Sequence, residues 1–164
     1  MRCAHSWRKS PVTSTLGLAL RDCSLSVEVR DPGDADDPLA SYRITASNEQ
    51  FDGATDVWGY PEQFQELAAS LEGFPASASS TVTFTLGSSG MGEITLEFMC
   101  VDGSGHAAVW VTLTSARSVA PTAKHQRATI CLRFEAASMD SFCRELHALS
   151  DGRVTIARLH ANEP

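Results

Sequence analysis

A chain of 164 residues with 43% hydrophobic and 20% charged residues is long enough to close one hydrophobic core and short for two, which excludes a fibrous or wholly disordered protein. Its formal net charge of −7 opposes a phosphate backbone, so the expected partner is another protein of basic charge and not nucleic acid. Five cysteines at irregular spacing, 3, 23, 100, 131 and 143, with no C-x-x-C pair, argue for reduced thiols in a cytoplasmic protein, and no segment approaches the roughly 18 apolar residues of a membrane helix.

Met1 to Thr15, polar with Arg2, Arg8, Lys9 and Pro11, reads as a loose tail, disordered and ahead of a single domain over 16–160. The apolar run Leu16 to Leu20 is too short for a signal-peptide core. Leu16, Leu18 and Leu20, then Leu25, Val27 and Val29, alternate with small or polar residues, the period-two signature of half-buried strand over 16–30. Asp31 to Pro38 breaks the pattern as a hairpin loop, and Tyr42, Ile44 and Ala46 resume it in a second strand over 40–47.

No period is visible from Asn48 to Gly59, so Phe51, Val57 and Trp58 are expected to dock on the core from a loop. Pro61 suits the first turn of a helix, Glu62 and Glu66 suit its positive end, and Phe64, Leu67, Ala68 and Leu71 form one stripe ended by Gly73. After the small-residue linker Ala76 to Ser80, four strands alternate between Thr81 and Ala136, with Val82 to Leu86, Ile94 to Cys100, Val109 to Leu113 and Ala128 to Phe134 carrying the inward residues. A polar excursion through Pro121 and Lys124 separates the last two. Ser138 is placed to cap a second helix with the stripe Phe142, Leu146 and Leu149; Asp151-Gly152 ends it, and Arg153 to Leu159 is a final strand. The expected fold is α+β: one curved antiparallel sheet of six or seven strands with two helices packed on one face.

Chemistry is harder to find. Asp31, Asp34, Asp36 and Asp37 share one loop, but no glycine and glutamate stand where a calcium-binding EF-hand loop needs them, so the use read for this loop is steering a basic partner. Cys143 and His147 are four apart, which is metal-ligand spacing without a second ligand pair. Cys100 falls on an inward position, and Cys131 on the outer face where a reactive thiol is conceivable. Asp102, Ser104 and His106 gather hydrolase-type residues, yet all three share one turn and no G-x-S-x-G elbow occurs. Phosphate-binding glycine motifs are absent too, so neither catalytic residues nor cofactor nor metal are assigned.

Two surfaces remain as candidate partner contacts. On the outer face of the meander, Trp110 stands with Met99, Arg133 and Glu97, a mixture that protein interfaces favour. Ahead of the first helix, Trp58 and Tyr60 supply an aromatic rim; Asp34, Asp36 and Asp37 are counted separately, as an electrostatic patch for a basic partner. Alternatives are a homodimer formed by the outer sheet face, or a small-ligand carrier or enzyme with a pocket between helices and sheet.

The order of elements, with Phe51, Gly53, Trp58, Phe64, Leu67 and Leu71 before the meander and Phe142, Leu146 and Leu149 after it, resembles small bacterial proteins, some of them grouped with immunity proteins of polymorphic toxin systems. The resemblance covers roughly 20–150 and rests on packing residues, so no functional residue carries over. It implies a non-catalytic protein that blocks a toxin by binding it, and the acidic charge suits a basic toxin such as a nuclease.

Overall fold

The computed structural model describes residues 23–161 apart from 35, 89, 103 and 120–123, with backbone alone at 117–119 and 124. The proposed tail, the alternation over 16–22 and Pro121 lie outside these residues. The described chain runs β1 (Ser24–Asp31), β2 (Ala40–Ser47), β3 (Asp52–Gly59), α1 (Pro61–Leu71), β4 (Thr81–Ser88), β5 (Gly92–Cys100), β6 (His106–Val119), β7 (Lys124–Glu135), α2 (Ala136–Ser150) and β8 (Ile156–His160).

The α+β antiparallel class holds, but the single curved sheet does not. The strands form two four-stranded sheets, β3-β2-β1-β8 and β4-β5-β6-β7. Alternation identifies which side chains face inward, yet it does not say which strands share hydrogen bonds. The first sheet is closed by a pairing of the first and last described strands, Ser24 opposite His160 through Glu28 opposite Ile156, and no local signal announces it. The second sheet is the meander read from the sequence, with β4 on β5, β5 on β6 and β6 on β7 all antiparallel.

The segment expected as a loop, 48–59, is mostly strand. β3 pairs with β2 over its whole length, from Ala40 opposite Gly59 to Ser47 opposite Asp52. Its inward positions are Gly53, Thr55, Val57 and Gly59, so two glycines hide the apolar period. The glycines are there because β3 crosses close over the second sheet. A Cβ on Gly53 would meet Leu113 Cδ1 at 3.0 Å, and one on Gly59 would run into Leu86. Thr55 Oγ1 donates to the Thr114 carbonyl at 3.0 Å across the same junction. Val57 does reach the core, whereas Phe51 is 62% and Trp58 42% exposed, so these two aromatics do not dock on it as expected.

The polar excursion is also shorter than expected. β6 continues to Val119 and β7 resumes at Lys124, with the register shifting between Thr114 and Ser118. α2 begins at Ala136, directly after β7 with Glu135 at its N-cap, so Ser138 lies inside the first turn and is not the cap. α1 begins at Pro61, where Gln63 Oε1 accepts from the Tyr60 N–H at 2.8 Å, and Gly73, with φ 70°, follows its end.

Direct contact between β3 and strands β4, β5 and β6 closes the two sheets on one side. α1 and α2 pack against each other, with α1 reaching β4 and α2 reaching β7 and β8, so the helices fill the side where the sheets diverge. Phe64, Leu67, Phe142 and Leu146 are each at most 1% exposed and belong to one core cluster with both sheets. Phe64 meets Tyr42 edge-on at 4.7 Å and Phe84 at 6.0 Å between ring centroids, joining the first sheet to the second through one ring. The space between helix and sheet is therefore filled by side chains.

Candidate functional site

Strand register decides which candidate residues meet. In the second sheet Trp110 stands opposite Glu97 on β5 and Cys131 on β7, while Met99 and Arg133 are both opposite Ala108, two residues away on the same face. Trp110 thus has Glu97 directly beside it and Met99 and Arg133 at diagonal positions, within reach of long side chains. It is 40% exposed. The threonine rows continue on the same face, where Thr112 and Thr129 share a hydroxyl hydrogen bond of 3.1 Å.

The other five candidate residues gather elsewhere, at one end of the first sheet. Ser41 is opposite Trp58 on β3 and opposite Asp31 on β1, so these three form one row, with Asp31 two strands or about 10 Å from the tryptophan. The acidic loop leaves β1 at Asp31. Tyr60, 48% exposed, follows β3 at the start of α1, and Glu62 is exposed in that helix's first turn. Asp56, two residues from Trp58 on the same face, holds Arg43 Nη1 at 3.0 Å. Met91, 56% exposed, sits in the β4–β5 turn beside Gly92, which lies against the Asp56 carbonyl.

The acidic loop is built by its own side chains. Asp34 Oδ1 accepts from the N–H groups of Asp36 at 2.9 Å and Asp37 at 2.8 Å, and Asp37 Oδ1 accepts from the Leu39 N–H. The Asp37 and Asp36 backbone bonds hold the Asp34 carboxyl below its usual range, because they stabilise the charged form. These bonds are to backbone groups, so no basic side chain among the described residues compensates the charges of Asp34, Asp36 and Asp37. Beneath this end, burial first and the charge of Glu62 second push the Tyr42 hydroxyl up to about 12.

The remaining chemistry-bearing residues have structural surroundings. Asp102 accepts from the Ser104 N–H at 2.8 Å and pairs with His106 Nδ1 at 2.7 Å; the His106 bond, then the Ser104 bond, lower its pKa. Asp102 thereby organises the β5–β6 turn. Cys100 is only half-buried, contrary to its expected core position, because it ends β5 and its thiol donates to the Asp102 carbonyl at 2.9 Å. Cys143 is buried, and desolvation, followed by the charges of Asp140 and Glu72, pushes its thiol up to about 11. His147 meets Glu72 of the neighbouring helix at 3.3 Å instead of joining Cys143 in a ligand pair. Among the described residues no three His, Cys, Asp or Glu side chains stand close enough to hold a metal ion.

A feature without a sequence signal lies at the free edge of β7. A cleft of about 260 Å³ is lined by Cys23, Asn48, Gln50, Cys131, Arg133 and Ala161, and Asn48 Nδ2 donates to the Cys131 carbonyl at 3.2 Å across it. Burial raises the Cys131 pKa and Arg133 only partly opposes it, so its thiol is held in the protonated form, away from the thiolate that reactivity requires. Arg133 belongs to both the cleft and the Trp110 patch.

The described chain is thus an α+β protein of two antiparallel sheets with exposed aromatics on both outer faces, and among the described residues no helix is long and apolar enough to cross a membrane. No protein-family model, curated protein or solved structure matches the chain.

Proposed function

We propose that this protein acts by binding another protein of basic charge, without catalysis, through the end of the first sheet that carries Trp58, Tyr60 and Glu62 and from which the loop of Asp34, Asp36 and Asp37 leaves. The observation that carries the reading is the row Trp58, Ser41, Asp31, which sets an exposed aromatic two strands, about 10 Å, from the root of an acidic loop. Interfaces concentrate energy in aromatic anchors, an indole face attracts Arg and Lys side chains, and uncompensated carboxylates steer a cationic partner. The sharpest form is an immunity-like role, neutralisation of a basic toxin by occlusion. The Trp110 patch, where Glu97 and Arg133 offset each other, suits a contact of mixed charge and is the secondary surface.

The test places a photo-crosslinking amino acid at Trp58, and separately at Trp110, in the native host. One basic protein captured at position 58, and lost when Asp34, Asp36 and Asp37 are changed together to Asn, supports the proposal. Capture of an acidic protein, or capture at position 110 alone, would falsify it.

A further inference from the structure

Each sheet has two edge strands, and three of the four edges are blocked. β3 is laid against the second sheet and carries Asp52 and Asp56. β8 is only five residues long, and Glu145 Oε2 of α2 accepts the Arg158 N–H at 2.7 Å. β7 carries His125, Arg127 and Arg133, breaks register with β6, and gives its Cys131 carbonyl to Asn48. Short length, charge, irregularity and cover are the devices by which proteins prevent edge pairing.

β4 is eight residues long, uncharged and regular, and its contacts with β3 and α1 include inward residues, Leu86 against Gly59 and Phe84 against Phe64. Its register with β5 runs without interruption from Thr81 opposite Met99 to Ser88 opposite Gly92. Among the described residues, none of its backbone groups is bonded away from that partner strand except at the turn, where Ser88 accepts from Met91. The sequence from Gly73 to Gly92 contains no Asp, Glu, Lys or Arg, in a protein whose net charge is −7. Thr81, Thr83 and Thr85 are exposed, and Val82 and Phe84, though they face inward, are only half-buried.

We propose that β4 pairs antiparallel with β4 of a second copy of this chain, joining two second sheets into one continuous eight-stranded sheet. An uncharged edge lets two molecules of the same negative charge approach without local repulsion. Two-fold pairing is self-complementary and closed. A register centred on Thr83 sets Thr81 of one copy opposite Thr85 of the other on the outer face, a favourable cross-strand pair. It sets Val82 opposite Phe84 on the inner face, covering the apolar surface that the open edge leaves exposed.

Sedimentation equilibrium across the micromolar to millimolar range tests this. The expected result is a species of twice the 17.6 kDa chain mass, converted to monomer by the double substitution Thr83→Lys and Thr85→Lys with an unchanged far-ultraviolet spectrum. Hydrogen exchange of the β4 amides should slow as concentration rises, and Trp110→Ala should remain dimeric. A wild-type monomer throughout the range overturns the proposal. So does a dimer that survives the two lysines, or one that dissociates on Trp110→Ala, which would assign the contact to the sheet face.

Discussion

Trp58 and Trp110 are exposed almost equally, 42% and 40%, and each stands on the outer face of a four-stranded antiparallel sheet. Their surroundings differ. Trp110 has Glu97 on one side and Arg133 at a diagonal, so its patch carries both signs and little net field. Trp58 shares its row with the root of an acidic loop and is followed by Tyr60 and Glu62. The lesson is that exposure marks an aromatic as available, while the charge that register brings beside it decides what it suits.

The largest effect expected on this comparison comes from removing what joins the two sheets. Phe64→Ala should cost about 3–5 kcal/mol, the usual range for a buried phenylalanine, because its ring touches both Tyr42 and Phe84. Urea unfolding followed by tryptophan fluorescence should then show one transition at lower denaturant; two separate transitions would mean that the sheets do not share a core. Gly59→Ala should cost about 1–3 kcal/mol, since the added methyl meets Leu86 and, at 2.9 Å, Gln63 Oε1.

Smaller effects separate the surfaces. Trp58→Ala and Trp110→Ala should each change stability by no more than about 1 kcal/mol. Only the first should weaken capture of a basic partner, and equal weakening by both would erase the distinction drawn above. Replacing Asp34, Asp36 and Asp37 together by Asn should slow association at low salt by about tenfold and much less at high salt, as steering requires. An unchanged on-rate removes the loop from the interface.

The smallest effect is in pH. Asp34 has a folded pKa below its unfolded value; its contribution to stability is present above about pH 4 and is lost as pH falls through the lower folded value. Carbon-detected NMR titration should find Asp34 protonating at lower pH than Asp34 in the unfolded chain.

How far the sequence reveals this molecule varies by element. Strands β5 and β7 are plain in it because every inward position carries an apolar side chain, Ile94 to Phe98 and Ala128 to Phe134. Both helical stripes are equally plain. β3 is hidden because Gly53 and Gly59 occupy inward positions where the second sheet leaves no room for a side chain. The division into two sheets is hidden because it depends on β1 meeting β8, across almost the whole described chain. The group around Trp110 is legible from strand alternation, but that the acidic loop and Trp58 share one end of the first sheet follows from register alone. The β7 cleft has no local signature, since its lining comes from four separate stretches of chain.

The pairing of β1 with β8 also decides where this molecule can be extended. The Ala161 N–H donates to the Cys23 carbonyl at 2.9 Å, so both ends of the described chain leave at one corner, beside the β7 cleft. The row of Trp58 lies at the far end of the same strands, about 23 Å away along an eight-residue strand. Cys23 and Ala161 themselves lie on the side remote from the aromatic and acidic surface. A circular permutant joining residues 161 and 23 by a short linker needs almost no span, and opening it at the exposed β5–β6 turn leaves every strand whole.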